Sequence, residues 1–169
     1  MLFPTRAAFS SFPIRGVLIV LLSYHLGRFA GREDLSWGLF EVGALAWVLA
    51  EIGSWLAEDY YRYREGRGEG KMSSPAMPTL SQQMTPPQLV LKGAWGVYLV
   101  AFFFSLIVTI ALAERGWRLI LIAFFGFLTG YYRYAPPLFW NKRQGGKIVS
   151  LLGQIALPYL SALVVGKAL

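Results

Sequence analysis

"LSWGLFEVGALAWVLAEIGSWLAEDYYRYREGRGEG", residues 35–70, decides the fold. Its first part, Leu35 to Ala57, is a mostly apolar run long enough to cross hydrocarbon as a helix, which takes about 20 residues. Its second part leaves that run through Glu58, Asp59, Tyr60, Arg62, Arg64 and Glu65 and closes on Gly66, Gly68 and Gly70. An abrupt passage from oil-like to charged sequence reads as a membrane helix arriving at an aqueous face.

The rest of the chain agrees. Of its 169 residues 56% are hydrophobic and 15% charged, and the mean hydropathy of +0.48 is too high for a soluble domain of this length. A lipid bilayer is the expected surrounding. The absence of cysteine excludes disulfides, thiolate metal sites and cysteine nucleophiles. A net charge of +7 on a soluble domain would point to nucleic acid. Here the basic residues cluster in short loops between apolar runs, where membrane topology accounts for them, so no nucleic-acid partner is expected. The first residues could pass for a signal peptide, with Arg6 and Arg15 ahead of an apolar core, but the spans that follow favour a retained first helix.

Five apolar runs stand out: Phe12 to Ala30, Leu35 to Ala57, Leu89 to Ala113, Gly116 to Tyr134 and Gly146 to Gly166. Unpaired backbone is costly in lipid, so the expected fold is all-α: a single membrane domain over 1–169, a bundle of about five transmembrane helices. Trp37, Trp55, Trp95, Trp117 and Trp140 fall near the ends of these runs, as an interfacial aromatic belt requires. Placing alternate loops on opposite sides puts eleven basic residues on the face that carries the N-terminus and five on the other. By the positive-inside rule the N-terminus and the second and fourth loops are expected in the cytoplasm. The first and third loops are short, so the first helix should neighbour the second, and the third the fourth, each pair antiparallel. The second loop, about 58–88, is long and rich in glycine and proline.

Two loops carry the chemistry. If the second helix continues past the boundary, Glu51, Trp55, Glu58, Arg62 and Glu65 recur at spacings of three and four and share one face. Glu51 lies about two turns below the boundary, where a carboxylate must face the bundle interior or a wet cavity. Glu58 and Arg62 read equally as a helix-end ion pair, with the tyrosines at headgroup level. The fourth loop, "GYYRYAPPLFWNKRQGGK" over 130–147, adds Tyr131, Tyr132, Tyr134, Arg133, Lys142, Arg143 and Lys147 around Pro136 and Pro137. Together the two loops would form a cytoplasmic mouth of acids, bases and aromatic faces.

At these residues the chain resembles the UbiA superfamily of intramembrane prenyltransferases. Their first motif, NDxxDxxxD or NDYxDxxxGxD in the menaquinone branch, closes the second helix. In "EDYYRYREGRGE" Glu58 stands for the Asn, Asp59 for the first Asp, Tyr60 for the Tyr, Arg62 for the second Asp, Gly66 for the Gly and Gly68 for the last Asp. "TLSQQMTPPQL" is similar to the segment leading into the third helix of such enzymes. The pattern YxAPPLRLxYRGLGE, which often follows their fourth helix, is met at Ala135, Pro136, Pro137, Leu138, Arg143 and Gly146, with Lys147 in place of the acid. The resemblance covers the N-terminal half of such an enzyme, which has about nine helices and a second acidic motif after the sixth.

The resemblance implies transfer of a prenyl group from an isoprenoid diphosphate to an aromatic or quinone-type acceptor, with Mg²⁺. By matching positions, Asp59 and Glu58 would serve the metal, Lys142 and Arg143 the diphosphate, and Tyr60, Tyr134 and Glu51 the cavity wall. Arg62 puts a fixed cation where an oxygen ligand is expected, which weakens Mg²⁺ at this motif. Three readings stay open. The chain is one half of a split prenyltransferase whose partner supplies the second motif; or a non-catalytic subunit that binds a quinone, pigment or lipid tail or scaffolds a larger complex; or a small channel or transporter subunit with Glu41, Glu51 and Lys92 as its active groups. A protein partner or oligomer is expected in the first two, and the location is the cell (inner) membrane. Gly126 and Gly130 form a GxxxG read as helix packing. Pro158 should kink the fifth helix, with no chemistry implied. His25, the only histidine, has no evident partner.

Overall fold

Hydrocarbon offers the backbone no hydrogen-bond partners, so each apolar run satisfies its own amides by coiling into a helix. The computed structural model describes residues 14–30, 37–68, 86–112, 116–133, 135, 136, 138 and 144–166. They form α1 (Ile14–Ala30), α2 (Trp37–Gly68), α3 (Pro87–Ala111), α4 (Gly116–Tyr131) and α5 (Gln144–Val165), with no strand among the described residues. Three helices are long and apolar enough to cross a membrane: α2 over Trp37–Tyr61, α3 throughout, and α5 over Gly145–Val165. The five expected spans are thus five helices of two kinds. α1 has 17 residues and α4 has 16, roughly 25 Å each at 1.5 Å per residue, the lower edge of what a bilayer needs.

The largest departure from expectation is at the end of α2, which runs to Gly68 instead of stopping at Ala57. Hydropathy marks where the lipid ends, and propensity marks where a helix ends. Residues 58–65 are glutamates, arginines, tyrosines and one aspartate, with no glycine or proline to halt the coil, and Glu58 precedes Arg62 at the favourable i,i+4 spacing. The helix therefore continues past the apolar run until Gly66 and Gly68. Pro86 and Pro87 start α3, Pro87 at the first helical position where a missing N–H does no harm. α4 closes at Tyr131, three residues before the expected Tyr134, and the Ala135 N–H donates to the Tyr131 carbonyl at 3.2 Å ahead of Pro136.

The helices close a ring in chain order, α1–α2–α3–α4–α5 and back to α1, with α2 leaning inward so that it touches all four others. The two short-loop pairs are neighbours and antiparallel: Tyr24 and Arg28 of α1 meet Phe40 and Trp37 of α2, while Trp95 and Tyr98 of α3 meet Tyr131 and Phe127 of α4. Yet the most extensive packing is between α2 and α3, across the long loop, and between α1 and α5, the two ends of the described chain. Close approach depends on small residues. Gly27 of α1 lies under the Tyr159 carbonyl of α5, and a Cβ there would come within 2.5 Å of that oxygen. Gly126 and Gly130 of α4 lie against Trp47 and Ser54 of α2, so the GxxxG is a packing contact.

The outside of the ring is as apolar as its inside. Of the 25 residues of α3 only Val90, Ala94, Tyr98, Ala101, Val108 and Thr109 are buried, and Phe102, Phe103 and Ile110 stand more than half exposed. Such a surface would be untenable in water and is the ordinary one in lipid.

Candidate functional site

Following α2 from its apolar end towards its charged end crosses three layers inside the ring: an apolar cavity, a polar layer and an aromatic, acid-bearing mouth.

The mouth is built where α2 outruns the bundle. Asp59 is 2% exposed and Glu58 half-buried beside it. Tyr61 turns inward, and its hydroxyl shares a 2.8 Å hydrogen bond with that of Tyr131 on α4. Tyr60 packs edge-on against Tyr61 at 5.1 Å, and Tyr132 edge-on against Tyr131 at 5.4 Å. Trp95, Tyr98 and Phe127 continue the cluster inward, with Phe127 stacked on Tyr131 at 5.7 Å. These rings join α2, α3 and α4 at one end of the molecule.

One to two turns deeper lies the polar layer. The Gln154 side-chain amide of α5 donates to Oε1 of Glu51 at 2.7 Å, and the Arg133 guanidinium stands 3.9 Å from the same oxygen. Gly16 of α1 makes room for this carboxylate, because a Cβ there would overlap it. One turn along the same side of α2 the Ser54 hydroxyl donates to the Ala50 carbonyl at 2.9 Å and shares a 2.8 Å hydrogen bond with the Tyr98 hydroxyl. Glu51, Ser54, Thr129, Arg133, Ser150 and Gln154 line a space of about 20 Å³, enough for one water molecule. An unaccompanied charge at a helix centre costs on the order of 2.5–3.5 kcal/mol on insertion scales, and this layer supplies the companions that lower it. Pro158 adds to the polarity. Lacking an N–H, it leaves the Gln154 carbonyl without its i+4 donor.

Beneath the polar layer α2, α3 and α4 part to leave a cavity of about 290 Å³. Its walls are mostly carbon, from Ala46, Trp47, Ala101, Phe102, Leu119 and Phe124 among others, and it is open on one side. Tyr24 of α1 also lines it. The Tyr24 ring is fully buried and held against Phe40 at 4.5 Å, while its hydroxyl lies against the bare backbone of Gly43. Among the described residues it is the buried side-chain polar atom that has no hydrogen-bond partner. Leaving such a group unsatisfied costs about 1–3 kcal/mol.

The residues read from the sequence are therefore distributed. Asp59, Glu58 and Tyr60 come together at the mouth. Glu51 lines the small polar space and not the apolar cavity. Tyr134, Lys142, Arg143 and the side chain of Arg62 lie outside the described residues. Glu41 and Lys92 are exposed. His25 packs its ring against Phe40 at 5.5 Å. Sequence reasoning missed Gln154 and Tyr24 altogether. A lone glutamine in an apolar run, four residues before a proline, was a usable signal for the first; a tyrosine among leucines carries none.

Mg²⁺ would find at the mouth two carboxylates on successive residues, about 100° apart around the helix. Among the described residues no three His, Asp or Glu side chains converge. Asp59 and Glu58 would thus hold the ion only with waters and substrate phosphate oxygens completing its octahedron, which is a common way for Mg²⁺ to be bound. Compared with protein-family models, with curated proteins and with solved structures, the chain matches none.

Proposed function

We propose that the chain is a UbiA-like membrane protein that holds the apolar part of an isoprenoid-type molecule, a quinone, pigment or lipid tail, between α2, α3 and α4, and that it transfers no prenyl group on its own. The observation that carries this reading is the cavity of about 290 Å³ on the same helices that bear the mouth. Asp59 lies roughly 13 Å along α2 from Ala50 at the cavity's upper edge, at 1.5 Å per residue. That distance suits an amphiphile with its head among Glu58, Asp59 and the tyrosines and its tail below. The resemblance to the UbiA superfamily supports the same division of head from tail, with the mouth on the cytoplasmic face of the cell membrane.

A second reading is favoured by the burial of Asp59 at that mouth. In it a partner chain supplies a second acidic motif, Asp59 and Glu58 hold Mg²⁺ through the substrate diphosphate, Lys142 and Arg143 neutralise the leaving group, and prenyl transfer follows. Arg62, a cation one turn from Glu58, weighs against tight Mg²⁺ binding in the lone chain.

The test is equilibrium binding of farnesol and of farnesyl diphosphate to the full chain in phospholipid nanodiscs, with and without Mg²⁺. The first reading predicts saturable farnesol binding that is independent of Mg²⁺ and lost when Ala123→Phe fills the cavity. Failure of farnesol to bind the wild-type chain would sink it. Farnesyl diphosphate bound at least tenfold more tightly with Mg²⁺, an advantage removed by Asp59→Ala, would establish the second.

A further inference from the structure

We infer that the cavity is loaded sideways from the bilayer, through a window between α3 and α4 framed by Phe102, Ile120 and Phe124, and that what enters is neutral and dissolved in hydrocarbon. The inference rests on the proposed binding of an apolar tail in this cavity and adds the route by which that tail arrives.

α3 and α4 are antiparallel neighbours that touch towards their two ends and part between them. Towards the mouth, Trp95 meets Tyr131 at 5.2 Å and Tyr98 meets Phe127 edge-on at 5.0 Å. Towards the far end, a Cβ on Gly116 would overlap the Thr109 carbonyl oxygen, so the two backbones touch. Tyr98 and Thr109 are eleven residues apart, which at 1.5 Å per residue makes the stretch between these contacts about 16 Å tall. It lies in the half of α3 remote from the mouth.

The exposure of the lining shows where the opening leads. Phe102 on α3 and Ile120 and Phe124 on α4 line the cavity and are about half exposed. The lining residues of α1, α2 and α5, Tyr24, Ala46 and Ser161 among them, are buried or half-buried. The cavity therefore opens along the α3–α4 seam, where the surface is the one that faces lipid. Ala101, Ser105 and Ala123 line it between the two contacts, and side chains this small leave the seam unfilled. A gap of this kind does not stay empty in a bilayer, because a void forfeits the contacts of every atom that lines it. Hydrocarbon enters it readily. A charged group does not follow, since Phe102, Ile120 and Phe124 offer it no partner on the way in.

The chain has no cysteine, so Phe102→Cys combined with Phe124→Cys gives an isolated pair. The contacts at the two ends set these positions level with each other across the window. A short bis-methanethiosulfonate reagent bridges the pair and is removed by reductant. Release of radiolabelled farnesol is timed from the full chain in nanodiscs, bridged and reduced. The bridge should slow release at least about tenfold, as closing an access route does, and reductant should restore the wild-type rate. Phe102→Ala combined with Phe124→Ala removes two lipid-facing rings and should release farnesol faster than the wild type. This second variant decides the matter if the reduced cysteine pair fails to bind farnesol. A bridged protein that releases farnesol as fast as the reduced one, or an alanine variant no faster than the wild type, would overturn the window and leave the cavity reading in place. Failure of the wild type to bind farnesol would overturn both.

Discussion

Glu51 and Tyr24 are both polar groups inside an apolar ring, and the chain treats them in opposite ways. Each lies against a glycine of the neighbouring helix, Gly16 for Glu51 and Gly43 for Tyr24, so each has been given room by deletion of a side chain. Glu51 is then surrounded: Gln154 from α5 donates to it and Arg133 stands by as counter-charge. Tyr24 is given nothing. The difference separates two uses of buried polarity. A group that the fold satisfies holds helices in register, and a group that the fold leaves unsatisfied adds nothing to that register.

If that division is right, the two groups should respond oppositely to mutation. The largest effect is expected for Gln154→Leu, which strips the short hydrogen bond from a half-buried carboxylate. Stability in mild detergent, measured by titration with a denaturing detergent, should fall by about 1–3 kcal/mol. Gly16→Ala should cost less, about 1 kcal/mol, because the new methyl meets only the flexible end of Glu51, which can swing aside at the expense of its bond to Gln154. Ser54→Ala removes one neutral hydrogen bond to Tyr98 and should cost about 0.5–1 kcal/mol in the same titration. Tyr24→Phe should be the smallest, within about 0.5 kcal/mol of the wild type or above it, because it deletes a hydroxyl that has no partner to lose. A loss of 1 kcal/mol or more at Tyr24, on the order of an ordinary buried hydrogen bond, would erase the contrast with Glu51.

Helices were legible in the sequence because a bilayer leaves an apolar run no other conformation. Their ends were legible only where lipid or proline sets them. The end of α2 was misread because beyond Ala57 the chain is governed by helix propensity and i,i+4 charges, which hydropathy does not register. The neighbours were half legible. Short loops identify α1–α2 and α3–α4, but nothing local announces that α1 and α5 pack together. The site divides along the same line. Glu51 was visible as a charge in oil, whereas its donor, Gln154, lies 103 residues away. The cavity was invisible, since it is the space left when three helices part, and no single residue encodes it.

The most direct test of the account is native mass spectrometry of the chain extracted from its own membrane in mild detergent, beside the Ala123→Phe variant. The account predicts a stoichiometric apolar molecule of the isoprenoid class on the wild type and none on the variant. A wild-type chain that is empty, or that carries only bilayer phospholipid to the same extent as the variant, would contradict it.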